Sequence, residues 1–104
     1  MERYKVEILS EAKIDFHEQL IYLSEKGCPI ETLRKFSAEL KAARNAIMQN
    51  PHTWPKANPC TRVRRYGPTP NFRYVIFYVI TPDDYIRIVE YAGPGRLPRW
   101  MERC

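Results

Sequence analysis

The apolar positions change their period along the chain, and each change marks a new element. Tyr4, Val6 and Ile8 alternate with Lys5 and Glu7, a period of two that predicts a half-buried strand. Ser10 then suits a helix cap, with Glu11 at the positive end of the helix. Ala12, Phe16, Leu20 and Leu23 follow at helical spacing and form one apolar stripe. Gly27 is a natural stop, and Pro29 a natural first-turn residue of a second helix. Leu33, Phe36, Leu40, Ala43 and Ile47 make a cleaner second stripe, which Pro51 ends. Two amphipathic helices with so short a joint predict an antiparallel hairpin.

Residues 51–60, PHTWPKANPC, hold three prolines and predict a loop. A short strand is expected around Thr61–Tyr66, where Val63 stands between Arg62 and Arg64. FRYVIFYVI, residues 72–80, is apolar on both faces apart from Arg73, so it predicts a central strand. TPDD is a turn and YIRIVEY the last strand. The order β-α-α-β-β-β, with short joints between the last three strands, predicts a two-layer α+β domain. Its antiparallel sheet packs against an α-helical hairpin. At 104 residues, the whole span 1–104 reads as one domain.

Charge changes the picture in the second half. The net charge is +5, which favours an anionic partner. Residues 1–60 hold nine Lys or Arg against eight Asp or Glu; residues 61–104 hold eight against four. Every basic residue after position 60 is arginine, whose planar fork grips phosphate or carboxylate at two points. Arg62, Arg64 and Arg65 therefore read as a phosphate-binding edge, or as charges that keep a strand edge from pairing. Arg73 and Arg87, on adjacent antiparallel strands, are expected to share a face. Two like charges opposed there call for an anion between them. Tyr74, Phe77 and Tyr78 read as core, and Trp54 as a cover for the end of the hairpin.

The tail VEYAGPGRLPRW continues the same theme. Gly93 and Gly95 turn the chain back over the sheet, Pro94 and Pro98 stiffen it, and Trp100 is the structural anchor. That would fix Arg96, with Arg99 and Arg103, beside the arginines of the strands. The plainer alternative is a stapled terminus with solvated charges. His17 and His52 have no partner at ligand spacing, so no metal is expected. No Gly-rich phosphate loop is present, so no organic cofactor is expected. Cys28, Cys60 and Cys104 are odd in number and form no CxxC pair, which suggests reduced thiols and a cytoplasmic protein. No stretch reads as a signal peptide or a membrane span.

The order of elements and certain residues within them resemble the RelE/ParE superfamily of bacterial toxins from type II toxin–antitoxin modules. Those residues are Tyr74, Ile76, Phe77 and Tyr78 in the central strand, Ile86 and Ile88 in the last, and Arg96, Pro98 and Trp100 in the tail. The resemblance covers nearly the whole chain. It implies a plasmid-stabilisation toxin held in a hetero-oligomer by a cognate antitoxin protein with an acidic C-terminal segment. ParE-like members poison DNA gyrase by binding it. RelE-like members are mRNA interferases, cutting messenger RNA on the ribosome without a metal. Whether the protein is an enzyme depends on the branch; a third alternative is an inert relative that serves only its antitoxin. In the nuclease branch the catalytic set would be Arg73, Arg87, Tyr91 and Arg96; in the binding branch Arg62, Arg64, Arg65, Arg73, Arg87 and Arg96 would hold the target. Two departures favour gyrase. Val75 stands where nucleases carry arginine after the strand tyrosine, and Tyr91 stands where many relatives carry histidine. The phenol of a tyrosine, with an ordinary pKa near 10, is a poor base at neutral pH.

Overall fold

The structure, a computed structural model, describes residues 4–103; Cys104 lies outside them. Its elements are β1 (Lys5–Ile8), α1 (Ser10–Glu25), α2 (Ile30–Gln49), β2 (Arg64–Tyr66), β3 (Val75–Ile80), β4 (Tyr85–Ala92) and α3 (Trp100–Arg103). The α+β class and the element order are those expected, with α3 as an added turn of helix. The sheet order is β1-β4-β3-β2. Strands β2, β3 and β4 form the antiparallel meander, while β1 joins β4 in parallel, so the sheet is mixed. Parallel pairing requires a crossover, and the helical hairpin supplies it.

Local chemistry explains the element ends. Gly27, at φ 78°, takes the left-handed position after α1. Its N–H donates to Ser24 O and that of Cys28 to Leu23 O, which closes the helix end. Two expected details differ. Ser10 is the first residue of α1 and Leu9 flanks it, with no side-chain cap bond. Pro29 occupies the flanking position before α2 rather than its first turn. Two strands are also shorter than the sequence suggests: β2 begins at Arg64 and β3 at Val75. Arg73 therefore lies outside the sheet, in a turn with φ 61°.

The sheet is buried on both faces. On one, Phe36, Leu40 and Ile47 of α2 pack against Ile76, Tyr78, Ile86 and Ile88. Phe36 is the hub, with ring centroids 5.6 Å from Phe16, 5.2 Å from Phe72 and 5.1 Å from Tyr74. The Tyr78 hydroxyl donates to Pro51 O at 2.6 Å, so the ring that fills the core also fastens the proline loop. Trp54 meets Tyr66 edge-on at 4.5 Å and packs at the margin of this core. On the other face, Val63, Phe77, Val89, Ala92 and Trp100 form a second, smaller core. A shift of register between Phe77 and Tyr78 places Val89 as an extra residue of β4. The resulting bulge turns Val89 toward the second core. Among the described residues no helix is long and apolar enough to cross a membrane.

Both cores should be needed. Trp100→Ala removes the aromatic that tilts over Phe77 at 5.9 Å, and it should cost about 3–5 kcal/mol. Leu97→Ala, at a residue 89 % exposed three positions earlier, should change stability by less than about 0.5 kcal/mol. Thermal denaturation of the two variants against the parent checks the contrast.

Candidate functional site

A groove of about 460 Å³ runs along the sheet face opposite the helical hairpin. Arg65, Arg73 and Arg96 stand around it, and Val75, Phe77 and Trp100 supply an apolar floor. No Asp or Glu is among its lining residues.

Each arginine arrives by a different route. Arg65 stands opposite Phe77 across the β2–β3 pair and shares its face. Arg73 is held by a turn fixed from several sides. Its N–H donates to Thr69 O, and the buried Thr69 Oγ1 accepts the N–H of Tyr74 at 3.0 Å. From α2, the Glu39 carboxylate accepts Asn71 Nδ2 at 2.7 Å and the Phe72 N–H at 2.8 Å. These donors hold the Glu39 carboxyl below its ordinary value, even though burial pushes the other way. A left-handed φ on a non-glycine residue costs on the order of 1–3 kcal/mol, and these bonds fix the turn at Arg73 in spite of it. Gly67, at φ 113°, is required in the same turn, because a Cβ there would lie 2.5 Å from Tyr74 O.

Arg96 is positioned by the tail, which is pinned at three points. Trp100 is sunk in the second core. The Arg99 N–H donates to Glu90 Oε1 at 2.7 Å. Arg103 forms a forked pair with Asp15, at 2.6 and 3.0 Å, and also donates to Val89 O. Desolvation raises the pKa of the buried Glu90 carboxyl despite the Arg99 and Trp100 N–H groups and nearby Arg103. Tyr74 lies beneath the turn at Gly93. Burial pushes its phenol up to about 12, against the opposing pull of Arg96.

The structure redistributes the other expected site residues. Arg87 stands opposite Val79 on β3 and Glu7 on β1, far along the strand from Arg73. It is paired with Glu7 at 3.2 Å, so the expected Arg73–Arg87 anion site does not form. The reason is register: the turn after β3 begins at Thr81, which sets Arg87 near the opposite end of the hairpin. Arg64 points away from Phe77 and donates to His52 O and Trp54 O, fastening the proline loop. Arg62 is exposed and lies outside the groove. Arg103 is consumed by Asp15. Tyr91 faces the hairpin, where its ring packs with Phe16; burial raises its phenol further from neutrality. Tyr91 and Arg96 share only a separate depression beneath the tail, where Asp15, Glu90 and Glu102 also stand, a poor setting for phosphate.

Sequence reading missed Asp15, Glu90 and Glu39 as the groups that aim Arg96 and Arg73. Glu90 carried a signal, as the sole carboxylate in an otherwise apolar stretch of strand. Glu39 and Asp15 looked like ordinary polar positions on helices and carried none. Chemically, three guanidinium groups over an aromatic floor can hold a polyanion and exclude water from part of it. No side chain in the groove is a base near neutral pH. No protein-family model matches the chain, and a search of curated proteins found no match.

Glu90 should make stability depend on pH. Its folded pKa lies above the ordinary value of 4.5, so ionising it costs more in the folded chain than in the unfolded one. Its favourable contribution is full below that ordinary value and is lost as pH rises through the folded one. Glu90→Gln keeps an acceptor for Arg99 and removes the titration. Relative to the parent, the variant should therefore gain melting temperature as pH rises from below 4.5 towards neutrality. A constant difference across that range would show that Glu90 does not carry the effect.

Proposed function

We propose that the chain is the toxin of a type II toxin–antitoxin module and that it acts by binding, as ParE-like members of the RelE/ParE superfamily act on DNA gyrase. The observation that supports this is the groove of Arg65, Arg73 and Arg96, which offers fixed cations and an apolar floor but no acid–base pair. Such a surface suits a nucleic acid backbone, or the acidic and aromatic groups of a protein bound to one. A net charge of +5 suits an antitoxin with an acidic segment, and a hetero-oligomer of the two. The second reading is a metal-independent, RelE-like endoribonuclease. Its support is narrower: three guanidinium groups alone can stabilise the charge of a phosphorane, while proton transfer would have to come from the ribosome or the RNA.

Brief induction in cells separates the two. Gyrase–DNA cleavage complexes should accumulate, and transcripts on polysomes should stay intact. Cut transcripts without cleavage complexes would replace the proposal by the second reading. Arg96→Ala should abolish growth arrest while changing stability by less than about 0.5 kcal/mol. Arg87→Ala should leave growth arrest intact, because Arg87 lies outside the groove. The opposite pattern in these two variants would remove the groove from the target interface.

A further inference from the structure

A second cleft, of about 260 Å³, lies between α1 and α2, on the other side of the sheet from the arginine groove. It exists because α2 presents Ser37 and Ala38 there, side chains too small to fill the space between the helices. Phe16, Leu40 and Tyr91, all part of the main core and its margin, form its base. Lys13, Lys41 and Arg44 stand around it, and no carboxylate is among its lining residues.

Arg44 is the informative residue. It is partly buried and lies beside the Tyr91 phenol. Among the described residues no carboxylate lies within ion-pair distance of it. Asp15, the acid that also acts on Tyr91, is already gripped by Arg103. A guanidinium at the edge of an apolar cavity, with no counter-charge of its own, can donate charge-assisted hydrogen bonds to an anion. A neutral apolar ligand would leave those donors unused, and a bare inorganic anion would leave the aromatic base wet. A ligand with one carboxylate and an apolar body answers both.

We infer that the cleft between α1 and α2 is a binding site for a small organic carboxylate, a free alkyl or aryl acid whose apolar body rests on Phe16, Leu40 and Tyr91 while its carboxylate meets Arg44 and the two lysines. The volume is below the roughly 300–1,000 Å³ of sites for drug-sized ligands, so the ligand is a short acid rather than a long-chain lipid. The inference does not depend on the toxin reading, because the cleft shares no lining residue with the arginine groove.

The test is a titration of the full chain, labelled with ¹⁵N, with 3-phenylpropionate, using 3-phenylpropanol as its neutral counterpart. Saturable shifts should appear at the amides of α1 and α2 around Ala38. The alcohol should bind at least about tenfold more weakly, as should the acid to Arg44→Gln, the loss expected for one charge-assisted hydrogen bond. Ala38 is exposed, so Ala38→Phe should fold normally, fill the cleft and abolish the shifts. Equal binding of acid and alcohol, shifts confined to the residues of the arginine groove, or unchanged binding by Ala38→Phe would each overturn the inference. So would binding of an acidic, aromatic peptide at the cleft with none of the free acid, which would make the cleft a protein–protein contact instead.

Discussion

Strands β3 and β4 are apolar on both faces, and a sheet of this kind must be covered twice. The helical hairpin covers one face, through Phe36, Leu40 and Ile47. Among the described residues no other element is of that size. The second face is closed by Val63, from the connection that leads into β2, and by Trp100 from the tail. The burial of Phe77, Val89 and Ala92 therefore rests on segments that look, taken alone, like a linker and a terminus.

Placing connecting segments over the second face has an electrostatic consequence. Residues 61–104 carry all their positive charge on arginine, and the structure divides those arginines by task. Arg64 and Arg103 spend donors inside the molecule, on loop carbonyls and on Asp15 and Val89 O, while Arg87 pairs with Glu7 at the surface. Arg65, Arg73 and Arg96 border the groove, each placed by a backbone feature: a strand register, a left-handed turn and a glycine-bounded tail. A guanidinium fixed through the backbone loses less freedom on meeting an anion than one on a mobile loop. It also keeps its charge at any physiological pH, so the groove's attraction for anions should depend on salt far more than on acidity.

Periodicity made most of the fold legible. The stripe Phe36–Leu40–Ala43–Ile47 and the unbroken apolar run of β3 gave the layers and the central strand, because burial itself imposes those spacings. Trp100 was legible as an anchor because a tryptophan in a stiff tail has few other uses. Register was not legible, and the Arg73–Arg87 pairing failed on it. A turn three residues longer or shorter moves every cross-strand neighbour, and the sequence does not state where a strand begins. The carboxylates that aim the arginines were hidden for a related reason. Glu39 lies 32 residues from Asn71, and Asp15 lies 88 from Arg103. Contacts of that separation follow from topology rather than from any local pattern.

The tail that carries Arg96 is also the lid of a core, and that union fixes what kind of receptor the groove can be. A flap that closes over a ligand must first stand open, and standing open here would expose Phe77, Val89 and Trp100 to water and strand the Glu90 carboxylate without its backbone donors. The groove is therefore a mould rather than a jaw. Its width is set when the chain folds, and it selects among ligands by what already fits between Arg73 and the tail.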